Sequence, residues 1–174
     1  PFTLTPSQES AVAEIDGDLA KPTPMQRLLQ GDVGSGKTAV ALYALLRAVE
    51  AGHQGALMAP TETLAEQHFL TVEEVCRELG VPAVLLTSGL TARDHAAARD
   101  RIASGEARIA VGTHALIQRE VAFQSLAVAV VDEQHRFGVE QRKALAEGRS
   151  PHVLHMTATP IPRTLALTLY GDLD

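Results

Sequence analysis

Cysteine is almost missing from this sequence: Cys76 stands alone. One thiol can form no internal disulfide and no cysteine cluster for zinc, which agrees with a reducing compartment, and Cys76 is expected to be a buried structural thiol. Positive charge is also short. Fifteen Lys and Arg against 21 Asp and Glu leave a formal net charge of −6, so no global basic field advertises nucleic acid, and any DNA or RNA contact has to come from a local patch. No apolar run approaches the roughly 18 uninterrupted residues that a membrane span requires, and the first residues lack the basic start and apolar middle of a signal peptide. The expectation is a soluble, cytoplasmic protein with no membrane partner. Internal repeats, low-complexity tracts and linkers longer than a turn are absent as well. The 174 residues, 45% hydrophobic, therefore read as one domain spanning 1–174. A missing initiator Met and an end at "GDLD" suit a piece excised from something larger.

What the chain does contain is an alternation of short β-rich apolar runs with longer helix-patterned segments, the pattern of βαβ units. It predicts an α/β fold with a mainly parallel central sheet and helices on both faces. Strands are expected at 27–30, 55–60, 83–87, 108–113, 127–132 and 152–158. Helices fill the intervals, most clearly over 37–51, 62–79 and 92–104, which are rich in Ala, Leu, Glu and Arg and are followed by Gly52, Gly80 and Gly105 as stops.

"GDVGSGKT", Gly31 to Thr38, fits G-x-x-x-x-G-K-[ST] and falls between a predicted strand and a predicted helix, where that motif has physical meaning. Glycines permit backbone angles that turn successive N–H groups inward around a phosphate, at the positive end of a helix dipole. Gly31, Gly34, Ser35 and Gly36 would form this cradle. Lys37 would reach the β- and γ-phosphates, and Thr38 would offer its hydroxyl to Mg²⁺. A glycine-rich turn with a solvated lysine is the competing interpretation; strand, spacing and helix together argue against it.

A second signal is the abrupt end of "AVAVV" in Asp132, Glu133, Gln134 and His135. In open parallel sheets ligands bind at the carboxyl ends of strands, so acids here would sit beside the phosphate loop. Asp132 would hold Mg²⁺, usually through water, and Glu133 would orient and deprotonate the water that attacks the γ-phosphate. Gln134 and His135 would sense that phosphate or pass its loss to neighbouring loops. The histidines show no H-x-x-x-H or cysteine-partnered spacing for a metal, and for His53, His95 and His152 a surface position is expected.

With "GDVGSGKT", "DEQH" and "MTATPIPRTL" in this order, the sequence resembles the first motor lobe of superfamily 2 helicases. Within them it is most similar to the helicases that remodel branched DNA, with the transcription-repair coupling translocases as the nearest competing group. "LTPSQ" (4–8) resembles the Q motif, "APTETLAEQH" (59–68) motif Ia, "GTHAL" (112–116) motif Ib, "DEQHRFG" (132–138) motif II and "TATPIPRT" (157–164) motif III with its extension. The resemblance implies a RecA-like P-loop NTPase lobe that uses ATP and Mg²⁺, with Gln8 on the adenine edge and Phe2 stacked on that base. Pro60, Thr61, Gly112 and Thr113 would contact the DNA backbone, and Thr157 and Thr159 would link nucleotide state to DNA grip. Arg136 and Arg163 could add positive charge. It further implies a second RecA-like lobe with an arginine for the γ-phosphate and a branch-recognising wedge domain, neither of which this sequence supplies. An arginine finger is worth about 10³ to 10⁵ in rate, so the chain alone is expected to bind nucleotide and hydrolyse it slowly. A module that uses ATP only to set affinity for a partner, and a small-molecule kinase, are alternatives from other classes. The second would leave motifs Ia and Ib unexplained.

Overall fold

The computed structural model describes residues 5–20, 26–30, 36–118, 120–132, 151–157 and 168–170, with the backbone alone described for 26–30 and 168–170. In chain order the elements are α1 Pro6–Leu19, β1 Gln26–Gln30, α2 Lys37–Glu50, β2 Gln54–Met58, α3 Glu62–Leu79, β3 Ala83–Leu86, α4 Ala92–Ser104, β4 Ile109–Gly112, a 3₁₀ turn His114–Ile117, β5 Leu126–Asp132, β6 His152–Thr157 and β7 Thr168–Tyr170. The described strands form one sheet in the order β3-β4-β2-β5-β6-β1-β7. Pairing is parallel from β3 through to β1, and β7 joins β1 antiparallel. The expected mainly parallel α/β sheet is therefore present.

Alternation along the strands divides the interior into two cores. Leu57, Ile109, Val111, Val128, Val130, Leu154 and Met156 face a core completed by α1, α2 and α3. Their neighbours Ala56, Met58, Ala110, Ala129, Val131 and Val153 face the other, completed by α4 and the 3₁₀ turn. Central strands buried on both sides are mainly apolar, with Gln54 and His155 as buried polar exceptions, which is why the runs are legible as continuous rather than alternating.

The helices begin and end on identifiable chemistry. Thr61 and Thr91 cap α3 and α4, their hydroxyls accepting from the Leu64 and Asp94 N–H groups. Gly80 and Gly105 close the same helices, as expected from the sequence. Two elements were not placed from sequence. One is α1, whose buried residues Ala11, Val12 and Ile15 are small in number on an otherwise polar helix. The other is β7, a three-residue edge strand too short to show periodicity.

Among the described residues no helix is long and apolar enough to cross a membrane. Of the three histidines expected at the surface, His53 is exposed, while His95 and His152 are half-buried. Burial holds the His152 imidazole below its ordinary pKa, partly offset by Asp18. Cys76 is fully buried on the inner face of α3, with Ala65 and Val72, and burial pushes its thiol up to about 11. Since the thiolate is the reactive form, a disulfide-exchange reagent at pH 8 is expected to label the native chain no faster than it unfolds, and to label it stoichiometrically in denaturant. Rapid labelling of folded protein would contradict this packing.

Candidate functional site

Parallel pairing brings the carboxyl ends of the strands to one edge of the sheet. There Gln30, the last residue of β1, pairs with Thr157 at the end of β6. Asp132, ending β5, lies across from Met156, and Met58 of β2 from both Val131 and Gly112. The carboxyl ends of β1, β6, β5, β2 and β4 therefore lie along one line. The phosphate-loop strand and the acid-bearing strand are separated only by β6, two strand spacings or about 10 Å. That gap suits a phosphate chain with a hydrated cation between a helix start and a carboxylate.

The start of α2 is shaped for close approach. Gly36 is its N-cap in the left-handed region at φ 89°, and no side chain caps the first turn. Its N–H groups are thus not claimed by a capping side chain. A Cβ built at position 36 would lie 1.8 Å from Gln8 Nε2, so a side chain there would push the end of Gln8 aside. Gln8 Nε2 donates to the Gly36 carbonyl at 3.1 Å, while its Oε1 accepts from the Thr5 N–H at 2.8 Å. Thr5 Oγ1 in turn accepts from the Gln8 N–H at 3.2 Å. "TPSQ" is therefore a capping box, with Pro6 in the first helical turn. The glutamine expected at the adenine edge starts α1 and clasps it to the start of α2. Gln8 is itself buried, at 7% exposure, and an amide has two N–H donors and two carbonyl lone pairs, of which the described residues engage one of each.

The far end of α1 is also tied down. Asp16 accepts from Tyr43 Oη at 2.8 Å and from Arg47 Nε at 3.0 Å, both on α2. Burial first, then the bond to Asp16, raises the Tyr43 phenol above its ordinary value and keeps it a donor. The Arg47 pair is well exposed, so it contributes about 0–1 kcal/mol. Burial of Val12 and Ile15 contributes more, at about 1.5–3 kcal/mol for each fully buried large aliphatic side chain.

Asp132 has a partner that the sequence did not reveal. His68, on α3, places Nε2 2.7 Å from Asp132 Oδ2, and the two side chains are only 14% and 11% exposed. An ionised carboxylate only accepts, so the imidazole N–H donates. His68 lies in "APTETLAEQH", but its meeting with Asp132 depends on β2 and β5 being neighbours, and strand order cannot be read from a lone sequence.

The residues expected to touch DNA divide into two groups. Thr61 is exposed and Pro60 half-buried, at the start of α3. Gly112 and Thr113 are buried instead. Thr113 Oγ1 accepts from the Ala115 N–H at 3.5 Å, and the Thr113 N–H is directed at the Leu86 carbonyl at 3.4 Å. A Cβ at Gly112 would lie 2.0 Å from that carbonyl oxygen, so here glycine lets β4 and β3 approach. These two residues hold the edge together rather than presenting a hydroxyl outward. Lys37 and Thr38 are half-buried in the first turn of α2, and Thr157 is buried at the end of β6. Phe2, Gly31, Gly34, Ser35, Glu133, Gln134, His135, Arg136, Thr159 and Arg163 lie outside the described residues.

The sequence profile of the DEAD/DEAH box helicases matches residues 5–168. The chain belongs to that family. This DEAD/DEAH box domain is 55% identical over its whole length to the ATP-dependent DNA helicase RecG of Synechocystis, and 54% identical to that of Bacillus subtilis, spanning 21% and 26% of those proteins. It is thus about a quarter or less of the length of these relatives. Among solved structures it resembles RecG bound to a three-way DNA junction, with a TM-score of 0.81 and 43% identity over 94% of this chain and 22% of that one. The DUF1998 helicase MrfA shares the fold at TM-score 0.68 and 16% identity, over 90% of this chain and 27% of that one. The RecA-like fold and the branched-DNA helicase resemblance are borne out. The competing resemblance, to the coupling factor Mfd, finds no support.

The Gln8–Gly36 clasp in the DEAD/DEAH box domain gives a quantitative expectation. Gly36→Ala should cost about 1–2 kcal/mol for a left-handed alanine and about 0.5–1.5 kcal/mol for the Gln8–Gly36 hydrogen bond lost as Gln8 is pushed aside. In a Gln8→Ala background that bond is already absent, so the two changes should couple by about 0.5–1.5 kcal/mol. Urea unfolding of the four proteins measures this, and simple additivity would refute the contact.

Proposed function

We propose that this chain is the ATP-binding first lobe of an ATP-dependent DNA helicase that remodels branched DNA, such as replication forks and Holliday junctions, in repair and recombination. The observation that carries the nucleotide part is that the end of β1, which leads into the phosphate-loop sequence, lies on the same sheet edge as Thr157 and Asp132, within about two strand spacings. Support for the DNA part comes from the likeness to RecG, whose structure is bound to a three-way DNA junction.

The site fits a nucleotide with Mg²⁺. The phosphate-loop sequence runs into a helix start with no capping side chain, and among the described residues Asp132 engages His68 through Oδ2, so that Oδ1 would face a cation or its waters. Thr38 and Asp132 would hold the ion, which when bound neutralises part of the phosphate charge. The backbone of Gly31, Gly34, Ser35 and Gly36 would cradle the phosphates, and Lys37 would bind the β- and γ-oxygens. Gln8 would address the adenine edge with its remaining donor and acceptor, and Phe2 would stack on the base. Glu133 would hold the attacking water and take its proton. Gln134, His135, Thr157 and Thr159 would report the state of the γ-phosphate to the DNA side.

On that side exposed Thr61 and half-buried Pro60 are the candidates for phosphate contact. Gly112 and Thr113 would serve chiefly by shaping the edge. Contacts of this type read backbone geometry rather than sequence, as a motor that works on any DNA requires. The partners are a second RecA-like lobe, supplying the arginine that completes hydrolysis, and a wedge domain that recognises the branch.

Titration of the folded chain with fluorescent ADP and Mg²⁺ tests the first half. Saturable binding is expected, weakened about 10- to 100-fold in Lys37→Ala, since a hydrogen bond to a charged group is worth about 1.5–3 kcal/mol. ATP turnover by the chain alone should be near background. In the two-lobe helicase Glu133→Gln should abolish turnover and leave nucleotide binding in place. No binding by folded wild-type chain would overturn the ATP-lobe assignment.

A further inference from the structure

The His68–Asp132 contact joins the proposed cation site to α3, the helix capped by the candidate DNA contact Thr61. α3 begins at Thr61, exposed and a candidate DNA contact, and carries His68 seven residues further on. At 1.5 Å per residue this is about 10 Å along one rigid helix. His68 there donates to Asp132 at 2.7 Å. α3 is seated by Ala65, Val72 and Cys76, all fully buried, and its first turn is held by Ser88 Oγ donating to Glu62 Oε2 at 2.8 Å. Packed at that density the helix moves as a unit. A displacement at Thr61 is therefore felt at the carboxylate.

We infer that His68 is a positioning residue for Asp132. It fixes which carboxylate oxygen faces the Mg²⁺ of a bound nucleotide, and it makes α3 the element through which DNA at Thr61 alters the hold on that ion. The inference rests on the ATP-lobe assignment. Its chemistry is that of outer-shell partners in general: a buried N–H donor on one carboxylate oxygen orients the other, and losing such a partner typically lowers metal affinity or activity by about 10- to 100-fold. In this role His68 would act through Asp132 alone.

The test compares His68→Gln with His68→Asn. A glutamine amide nitrogen occupies nearly the place of the imidazole Nε2, whereas asparagine is too short to reach Asp132. In the helicase carrying this lobe, the affinity for fluorescent ADP is measured with Mg²⁺ and with EDTA, and the Mg²⁺ concentration giving half-maximal ATPase is measured with and without branched DNA. The Asn variant is expected to lose most of the tightening due to Mg²⁺, to need about 10- to 100-fold more Mg²⁺, and to lose the effect of DNA on that requirement. Affinity in EDTA should stay unchanged, and the Gln variant should restore the rest. Nitrogen-15 spectra of histidine in the wild-type chain give a reading that needs no variant: the His68 ring signals should shift when Mg²⁺ joins bound ADP. An intact Mg²⁺ effect in the Asn variant, or an unmoved His68 signal while Mg²⁺ tightens ADP, overturns the positioning role alone. Absence of any Mg²⁺ effect in the wild type overturns the ATP-lobe assignment, and the inference with it.

Discussion

Parallel pairing of β2, β5, β6 and β1 is the constraint on which everything at the site depends. It sets Gln30, Thr157 and Asp132 in line at one edge, and nothing in those residues themselves would bring them together. The register is held by volume. On one face the strands present Leu57, Val128, Val130, Leu154 and Met156; on the other, Ala56 and Ala129 stand among their inward neighbours. A slip of one residue exchanges the two sets, pressing large side chains into space sized for alanine and leaving a cavity opposite. The same slip would carry Asp132 off the edge. Core packing and site geometry are thus enforced by one condition.

Around that edge the helices are positioned by their first turns. Thr61 and Thr91 satisfy backbone N–H groups with hydroxyls, and Thr5 with Gln8 does so reciprocally. α2 differs because its cap is glycine and no side chain caps its first turn, and a helix start of that kind has its dipole directed at whatever anion arrives. The contrast between capped and uncapped starts separates structural helices from the one opening on the phosphate loop. Gln8 ties the two kinds together by a bond from a capped start to the uncapped one.

Local chemistry made much of this legible in advance. The span of α3 and the stop at Gly80 come from composition and a terminal glycine, and β5 from an apolar run closed by an acid. The phosphate loop carries its own spacing. What stayed hidden is whatever depends on neighbours in space. Strand order decides that His68 meets Asp132, and the approach of β3 decides that Gly112 has no room for a side chain. α1 was obscured because few of its side chains are apolar, and most of its hold on α2 comes from a small buried stripe and Asp16. Gln8 reads in the sequence as an adenine contact, which masks the capping box in the same four letters.

The sealed thiol at position 76 has a practical side. Because the sequence holds no other cysteine and this one is fully enclosed with its ionisation suppressed by burial, a cysteine introduced elsewhere becomes a unique attachment point without altering the interior. Leu70, 67% exposed on α3 and two residues from His68, is a natural position. A fluorophore or spin label there rides on the helix itself, so the chain comes prepared as a gauge of its own α3 displacement.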